Sequence, residues 1–304
     1  MKKKILLILM TVAIGISSCD NTDDSKYADY LVARPLKMSK AEFKNSVDII
    51  APIPVDESGK IYAYQNYIFV NDKYRGVHVI DNSDPSAPKK VSFIKIAGNV
   101  DISVKDNYLY ADSITDLIVL DISNINDIKI VNRLENVLRD NVIWPAEADI
   151  FEYEGIDYQN EILVGWELVT ERRLIEEVNT RLVDFALAEV ANDAGGGVGQ
   201  GGSLARFKIV NDYLYAVDSH SINVFEISDL ENPKDLEDVY AGFDIETIFN
   251  RGEHLFLGSM RGMYIYDISS PATPSFISEF QHGTACDPVV VDGDYAYVTL
   301  RGGN

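Results

Sequence analysis

The chain has 304 residues, 46% of them hydrophobic, and a net charge of −21. That length accommodates one large domain or two ordinary ones, so core size sets no constraint. The charge excludes nucleic acid as a natural partner, because phosphate binding needs a basic face and a surface this acidic repels it.

Residues 1–18 read as a secretory signal. Lys2, Lys3 and Lys4 form a basic start, and Ile5 to Ile16 form an apolar run too short to span a bilayer. Ile16-Ser17-Ser18-Cys19 has the form of a bacterial lipobox, so Cys19 is expected to be the acylated mature N-terminus and the link to the membrane. The acidic stretch Asp20 to Ser25 fits either an export signal to the outside of the outer membrane or a solvated tether. Residues 19–45 are accordingly read as lipidated N-terminus and tether, and residues 46–304 as the folded domain. Cys286 is the one other cysteine, expected as a buried thiol or as half of a bridge completed elsewhere.

From residue 60 onward the chain repeats itself. Asn66-Tyr67-Ile68-Phe69-Val70, Asn107-Tyr108-Leu109-Tyr110-Ala111, Asp212-Tyr213-Leu214-Tyr215-Ala216, Glu253-His254-Leu255-Phe256-Leu257 and Asp294-Tyr295-Ala296-Tyr297-Val298 are variants of one phrase. The steps between their second residues are 41, 105, 41 and 41. A second phrase follows at a fixed interval, as in Leu120-Asp121-Ile122-Ser123 and Tyr266-Asp267-Ile268-Ser269, each leading into a polar or Pro-rich turn. Asp and Ser can bond their own backbone as the chain reverses, and Pro forbids another ladder bond. One unit then reads as four strands, over Asp101 to Val104, Tyr108 to Asp112, Leu117 to Asp121 and Ile128 to Leu134. Four short strands in about 40 residues predict an all-β propeller blade. Large apolar side chains at successive strand positions fit a sheet covered on both faces by neighbouring blades. The last blade stops after its Tyr-x-Tyr strand, so the propeller is expected to be incomplete at the C-terminus.

The 105-residue step exceeds one repeat by 64, which makes residues 135–203 an insertion or a diverged blade. Glu161 to Leu168 alternates like a strand, with Arg172 to Glu177 as its expected hairpin partner, projecting from the rim. Residues 179–190 fit a short amphipathic helix and Ala194 to Gly202 a flexible loop. Gly197 to Gly202 formally matches a dinucleotide fingerprint, but lacks the strand before it and the helix after it, so no cofactor is expected.

Other groups with chemical potential have plain structural readings. His282, Cys286 and Asp287 lie within six residues but lack a fourth ligand of suitable spacing, so no metal is expected. Asp112-Ser113, Asp218-Ser219 and Gly258-Ser259 recur after the Tyr-x-Tyr strand, fitting either a ligand-binding ring at one end of the channel or turn capping. No catalytic residues stand out, since carboxylates in so acidic a chain can be paired by chance.

Gly76-Val77-His78-Val79-Ile80-Asp81 and Leu117-Ile118-Val119-Leu120-Asp121-Ile122-Ser123 resemble the LVIVD repeat of bacterial surface and secreted β-propellers. Gly201 to Phe207, Glu246-Thr247, Gly262-Met263 and Cys286 to Val291 are similar to LVIVD-repeat lipoproteins in particular. The resemblance implies a lipid-anchored propeller and brings no activity with it. Arg206, Glu246, Arg261, His282, Asp287 and Arg301 lie in or near the loops of these segments and are the candidate ligand contacts. The expectation is a surface-exposed binding module, anchored in the bacterial outer membrane through Cys19, for a protein, peptide or glycan. The rivals are an enzyme acting on an extracellular polymer from an acidic pocket, and a structural subunit of an envelope complex.

Overall fold

The computed structural model describes residues 26–139, 145, 148–152, 155–176, 178, 205–243, 245–259, 262–281, 286–293 and 295–300. The chain enters through a long strand, β1 (Tyr27–Ser39), and one helical turn, α1 (Lys40–Lys44). Ser39 starts α1 with a capping box: its hydroxyl accepts from the Glu42 N–H, and the Glu42 carboxylate accepts from the Ser39 N–H.

The repeats follow as antiparallel sheets. Unit 1 holds β2 (Asp48–Ile50), β3 (Ser58–Tyr64), β4 (Tyr67–Asp72), β5 (Gly76–Asp81) and β6 (Lys89–Lys95), in the order β2-β6-β5-β4-β3. Unit 2 is the plain four-stranded blade of β7 (Ile102–Lys105), β8 (Tyr108–Ser113), β9 (Asp116–Asp121) and β10 (Lys129–Leu134). After β11 (Ile150–Phe151) and β12 (Glu161–Leu174), unit 3 resumes with β13 (Phe207–Val210), β14 (Tyr213–Val217) and β15 (Ser221–Glu226). Its outer strand is broken into β16 (Lys234–Asp235) and β17 (Val239–Tyr240), both paired with β15. Unit 4 has β18 (Ile245–Arg251), β19 (His254–Ser259), β20 (Gly262–Asp267) and β21 (Ser275–Gln281), and unit 5 has β22 (Cys286–Asp292) and β23 (Tyr295–Leu300).

The two-residue alternation of each strand explains how units stack. In β8, Leu109 and Ala111 enter the core shared with Phe69, Val77 and Val79 of unit 1. Tyr110 points the other way, into the core shared with Leu214, Ala216 and Phe225 of unit 3. Unit 3 repeats the pattern: Tyr215 and Val217 join Leu255, Leu257 and Tyr266 of unit 4. Neither face of a middle blade meets water, so both must be apolar. Burying one such side chain contributes roughly 1.5–3 kcal/mol.

The first strands of the units, β3, β7, β13, β18 and β22, touch one another in succession. Hydrogen bonds tie them: the Tyr62 hydroxyl donates to Val104 O (3.1 Å), and Ile248 N–H to Ala205 O (2.8 Å). Sheets whose inner strands adjoin and whose faces pack in sequence form a β-propeller. Tyr67, Tyr108 and Tyr213 are each half-buried against an inter-unit core, whereas Tyr295 of unit 5 is 71% exposed.

Two expectations about the flanking segments are corrected. The tether expected over residues 19–45 contains β1 and α1. β1 pairs along its whole length with β12, from Tyr27 opposite Leu174 to Ser39 opposite Glu161, and β11 joins its other edge. The hairpin expected between Glu161–Leu168 and Arg172–Glu177 does not form, because β12 runs unbroken through Leu174. Its alternation is that of a strand, but its partner lies more than a hundred residues upstream, which local spacing cannot reveal. Residues 179–190 and 194–202 lie outside the described residues.

Candidate functional site

The end of the propeller where inner strands begin is built from polar groups at equivalent places in successive units. Lys60, Asp101 and Arg206 stand at the start of the inner strands of units 1, 2 and 3. Lys60 Nζ lies 2.7 Å from Asp101 Oδ1, and Asp101 Oδ2 accepts from the backbone N–H groups of Arg206 (2.5 Å) and Phe207 (2.7 Å). One fully buried carboxylate therefore links three units near the axis. Burial pushes the Asp101 carboxyl up, while Lys60 opposes that shift.

Arg206 and Glu246 meet this cluster, and both are buried. Burial pushes the Arg206 guanidinium down, and the charges of Asp112, Glu246 and Asp101 oppose it. Glu246 sits on a bulge between Ile245 and Thr247, where the ladder with β19 skips a residue. Asp112 completes the set: its Oδ1 accepts from Asn99 Nδ2 (2.8 Å), Val100 N–H (2.9 Å) and Asp101 N–H (2.8 Å). Burial pushes its carboxyl up to about 6. Two cations, Lys60 and Arg206, face three carboxylates here, those of Asp101, Asp112 and Glu246.

The turn after the Tyr-x-Tyr strand of unit 3 is closed by its own acid. Asp218 Oδ1 accepts from His220 N–H (2.7 Å) and Ser221 N–H (2.8 Å), and the Ser113 hydroxyl donates to Ala97 O (2.9 Å). Asp112, Ser113, Asp218 and Ser259 are all buried. Of the two readings for these positions, Asp218 follows turn capping, whereas Asp112 and Ser113 bond the connector that leads into β7, at Ala97 and residues 99–101. Among the described residues, no three His, Cys, Asp or Glu side chains are grouped to hold a metal ion.

Over units 1 and 2 this end is covered by the β11-β1-β12 sheet. Leu163, Val164 and Trp166 of β12 pack with Ala33 of β1, Phe43 of α1, and Ala97 and Ile114 from the propeller. The contact is close enough to require glycine: a methyl group at Gly165 would sit 2.5 Å from the Tyr74 ring. The Arg133 guanidinium lies 4.6 Å from the Phe43 ring, fastening α1 to unit 2.

Over units 3 and 4 the same end carries exposed aromatics. Tyr240 is 60% and Phe243 48% exposed. The Phe243 ring lies edge-on to both His220 (5.7 Å) and Tyr240 (6.0 Å). Ala241 N–H and Gly242 N–H donate to His220 O (2.7 and 3.2 Å), joining the unit 3 turn to the connector that carries Phe243. Acidic groups adjoin. Partial burial raises the Asp238 carboxyl, Arg139 opposes that, and Asp218 adds to it.

Residues 57–93, 97–133 and 282–304 match the family model of the LVIVD repeat. This chain carries LVIVD repeats. The first match spans β3 to β5 and most of β6, and the second spans β7 to β9 and most of β10, so the sequence unit and the blade coincide. A search of curated proteins found no match. Among solved structures, BamB from Moraxella catarrhalis is similar over 80% of this chain and 55% of its own, at 10% identity and a TM-score of 0.44. Hsv2p from Kluyveromyces lactis is similar over 81% and 57%, at 9% identity and a TM-score of 0.41. A functionally unknown protein from Desulfotomaculum acetoxidans is similar over 80% and 76%, at 13% identity and a TM-score of 0.38. The chain thus spans little more than half the length of the Moraxella and Kluyveromyces structures.

Set on the propeller units, the residues singled out from sequence separate into three groups. Arg206 and Glu246 come together, buried at the axial end of units 3 and 4. Asp287 lies in β22, where only the backbone is described. Cys19, Arg261, His282 and Arg301 lie outside the described residues. Sequence reasoning did not find Tyr240, Phe243 and His220 as a cluster. Their one local signal was Tyr240-Ala241-Gly242-Phe243, two aromatics in a connector where polar residues are the rule.

Proposed function

We propose that this LVIVD-repeat propeller is a binding module, held at the bacterial cell surface by lipid on Cys19, whose contact surface centres on Tyr240, Phe243 and His220. Its ligand is a cationic segment of a protein or peptide. The observation that carries the reading is the exposed aromatic cluster, with the exposed Asp238 beside it, next to a covered stretch of the same propeller end. Exposed apolar groups rimmed by charge mark interaction sites, ring faces and carboxylates both attract cations, and a net charge of −21 favours basic partners. In the axial cluster Lys60 is ion-paired with Asp101, and the charges of Asp112, Glu246 and Asp101 favour the buried Arg206 guanidinium, which supports a structural role for these groups over catalysis on a polymer.

The test is an array of immobilised 12-residue peptides of graded charge probed with the intact protein and with Tyr240→Ala/Phe243→Ala. Basic peptides bind the intact protein, and the double variant loses about tenfold or more in affinity, the equivalent of roughly 1.4 kcal/mol. Equal binding of acidic and basic peptides, or an unchanged variant, overturns the reading. The anchor has its own check: a clickable palmitate analogue labels the wild type and not Cys19→Ala, and protease added to whole cells removes the labelled protein. Protein that stays protected places it inside the envelope instead.

A further inference from the structure

One series of inner-strand side chains reaches from each unit to the next. Lys60 Nζ donates to Ile102 O (3.1 Å) and the Tyr62 hydroxyl to Val104 O (3.1 Å), joining unit 1 to unit 2. Asp101 accepts from the Arg206 and Phe207 N–H groups, and the Ser103 hydroxyl donates to Phe207 O (3.4 Å), joining unit 2 to unit 3. Arg206 and Lys208 hold the same two places in unit 3. Among the described residues, neither side chain makes such a bond to unit 4.

Arg206 is 5% exposed, yet its Nε–H has no acceptor, and a buried donor left unpaired is costly. Lys208 is half-buried, its Nζ 5.7 Å from the centre of the Phe249 ring, and among the described residues it has no ion pair. Burial pushes its ammonium down, and the charge of Lys60 adds to that. Val217 N–H donates to Arg206 O (3.0 Å) and Tyr215 pairs with Lys208, and Val217 and Tyr215 both enter the core between units 3 and 4. The two cations therefore stand on one face of β13, turned towards unit 4. There Ile248 N–H donates to Ala205 O (2.8 Å), and Thr247 beside it is buried with its hydroxyl unpartnered. Units 3 and 4 have neighbours on both sides, β7 touching β13 and β22 touching β18, so this place is not at an end of the row.

We propose that Arg206, Lys208 and Thr247, with the Phe249 ring as a floor, bind a small organic monocarboxylate between the inner strands of units 3 and 4. One carboxylate oxygen pairs with the Lys208 ammonium and the other accepts the Arg206 Nε–H. Side chains two residues apart on one strand face stand roughly 6.5 Å apart. A carboxylate with a hydrogen bond of about 2.9 Å at each oxygen spans that gap. A water molecule would satisfy the Nε–H but leave the Lys208 charge unpaired. A phosphate dianion would set a second negative charge against Asp101, Asp112 and Glu246, whose charges already act on Arg206. A folded partner cannot reach a guanidinium this deeply buried, which selects a small molecule. The site is independent of the exposed cluster of Tyr240, Phe243 and His220.

Isothermal titration of the whole protein with sodium benzoate, benzamide and sodium phosphate, at one ionic strength, tests this. Benzoate binds at least about tenfold more tightly than benzamide or phosphate. Lys208→Met, which keeps the stem and removes the charge, loses that preference. Should the variant unfold, the wild type still decides: benzoate slows acetylation of Lys208 by acetic anhydride, read by mass spectrometry against the exposed Lys89. Absence of benzoate binding, equal binding of benzamide or phosphate, a preference retained in Lys208→Met, or unchanged acetylation of Lys208 overturns the proposal.

Discussion

At the scale of single residues, the axial end is governed by what burial does to charge. Asp112 has an ordinary carboxyl value of 3.8 and is pushed up to about 6 by burial, against three hydrogen bonds that favour its charged form. The folded protein therefore holds this proton more tightly than the unfolded chain. Its ionised form costs stability above pH 6, and stability from this group rises as pH falls from about 6 towards 3.8, then levels off. The rise from 3.8 to about 6 corresponds to roughly 3 kcal/mol across that window. Urea unfolding of the wild type and of Asp112→Asn, at pH 7, 6, 5 and 4, will show their difference moving in favour of the wild type as pH falls. The variant comparison matters because other carboxyls, such as Glu161 beside Lys37, are held below their usual range and pull the total the other way. A difference constant with pH contradicts the assigned burial of Asp112.

At the scale of elements, the inter-blade contact is a tyrosine pushed face-first into the next unit. Tyr110 and Tyr215 use the ring for burial and the hydroxyl to satisfy a carbonyl of a neighbouring turn. Tyr110→Phe and Tyr215→Phe each lose about 1 kcal/mol of stability. Because they act at separate interfaces, the double variant should lose their sum. Equilibrium denaturation measures all three, and near-zero losses would place these hydroxyls in water. This contact was legible in the sequence, since Tyr-Leu-Tyr strands with no polar face fit only a sheet covered on both sides. The polar turns were legible too, because Asp and Ser at fixed offsets have a local partner: Ser123 N–H donates to Asp121 Oδ1, and Ser269 N–H to Asp267 Oδ1. The β1–β12 pairing was not. Residues 27–39 and 161–174 meet through contacts more than a hundred positions apart, with no turn between them to fix a register. The clustering of Tyr240, Phe243 and His220 was hidden for the same reason: it follows from two loops of different length converging where units 3 and 4 adjoin.

At the scale of the whole molecule, successive units share inner-strand contacts and alternating cores, which fixes a rotation between neighbours. A β11-β1-β12 cover sits over units 1 and 2. The central claim is that this rotation carries the units around an axis. Ser83, Ser123, Ser228 and Ser269 occupy one exposed place in units 1 to 4. Spin labels on cysteines at Ser83 and each of the other three, with the native cysteines replaced by serine, give three distances by pulsed dipolar spectroscopy. For a propeller, the distance from Ser83 grows by less at each step, because the chord of an arc flattens. Distances growing by equal steps would describe a straight stack of sheets and contradict the account.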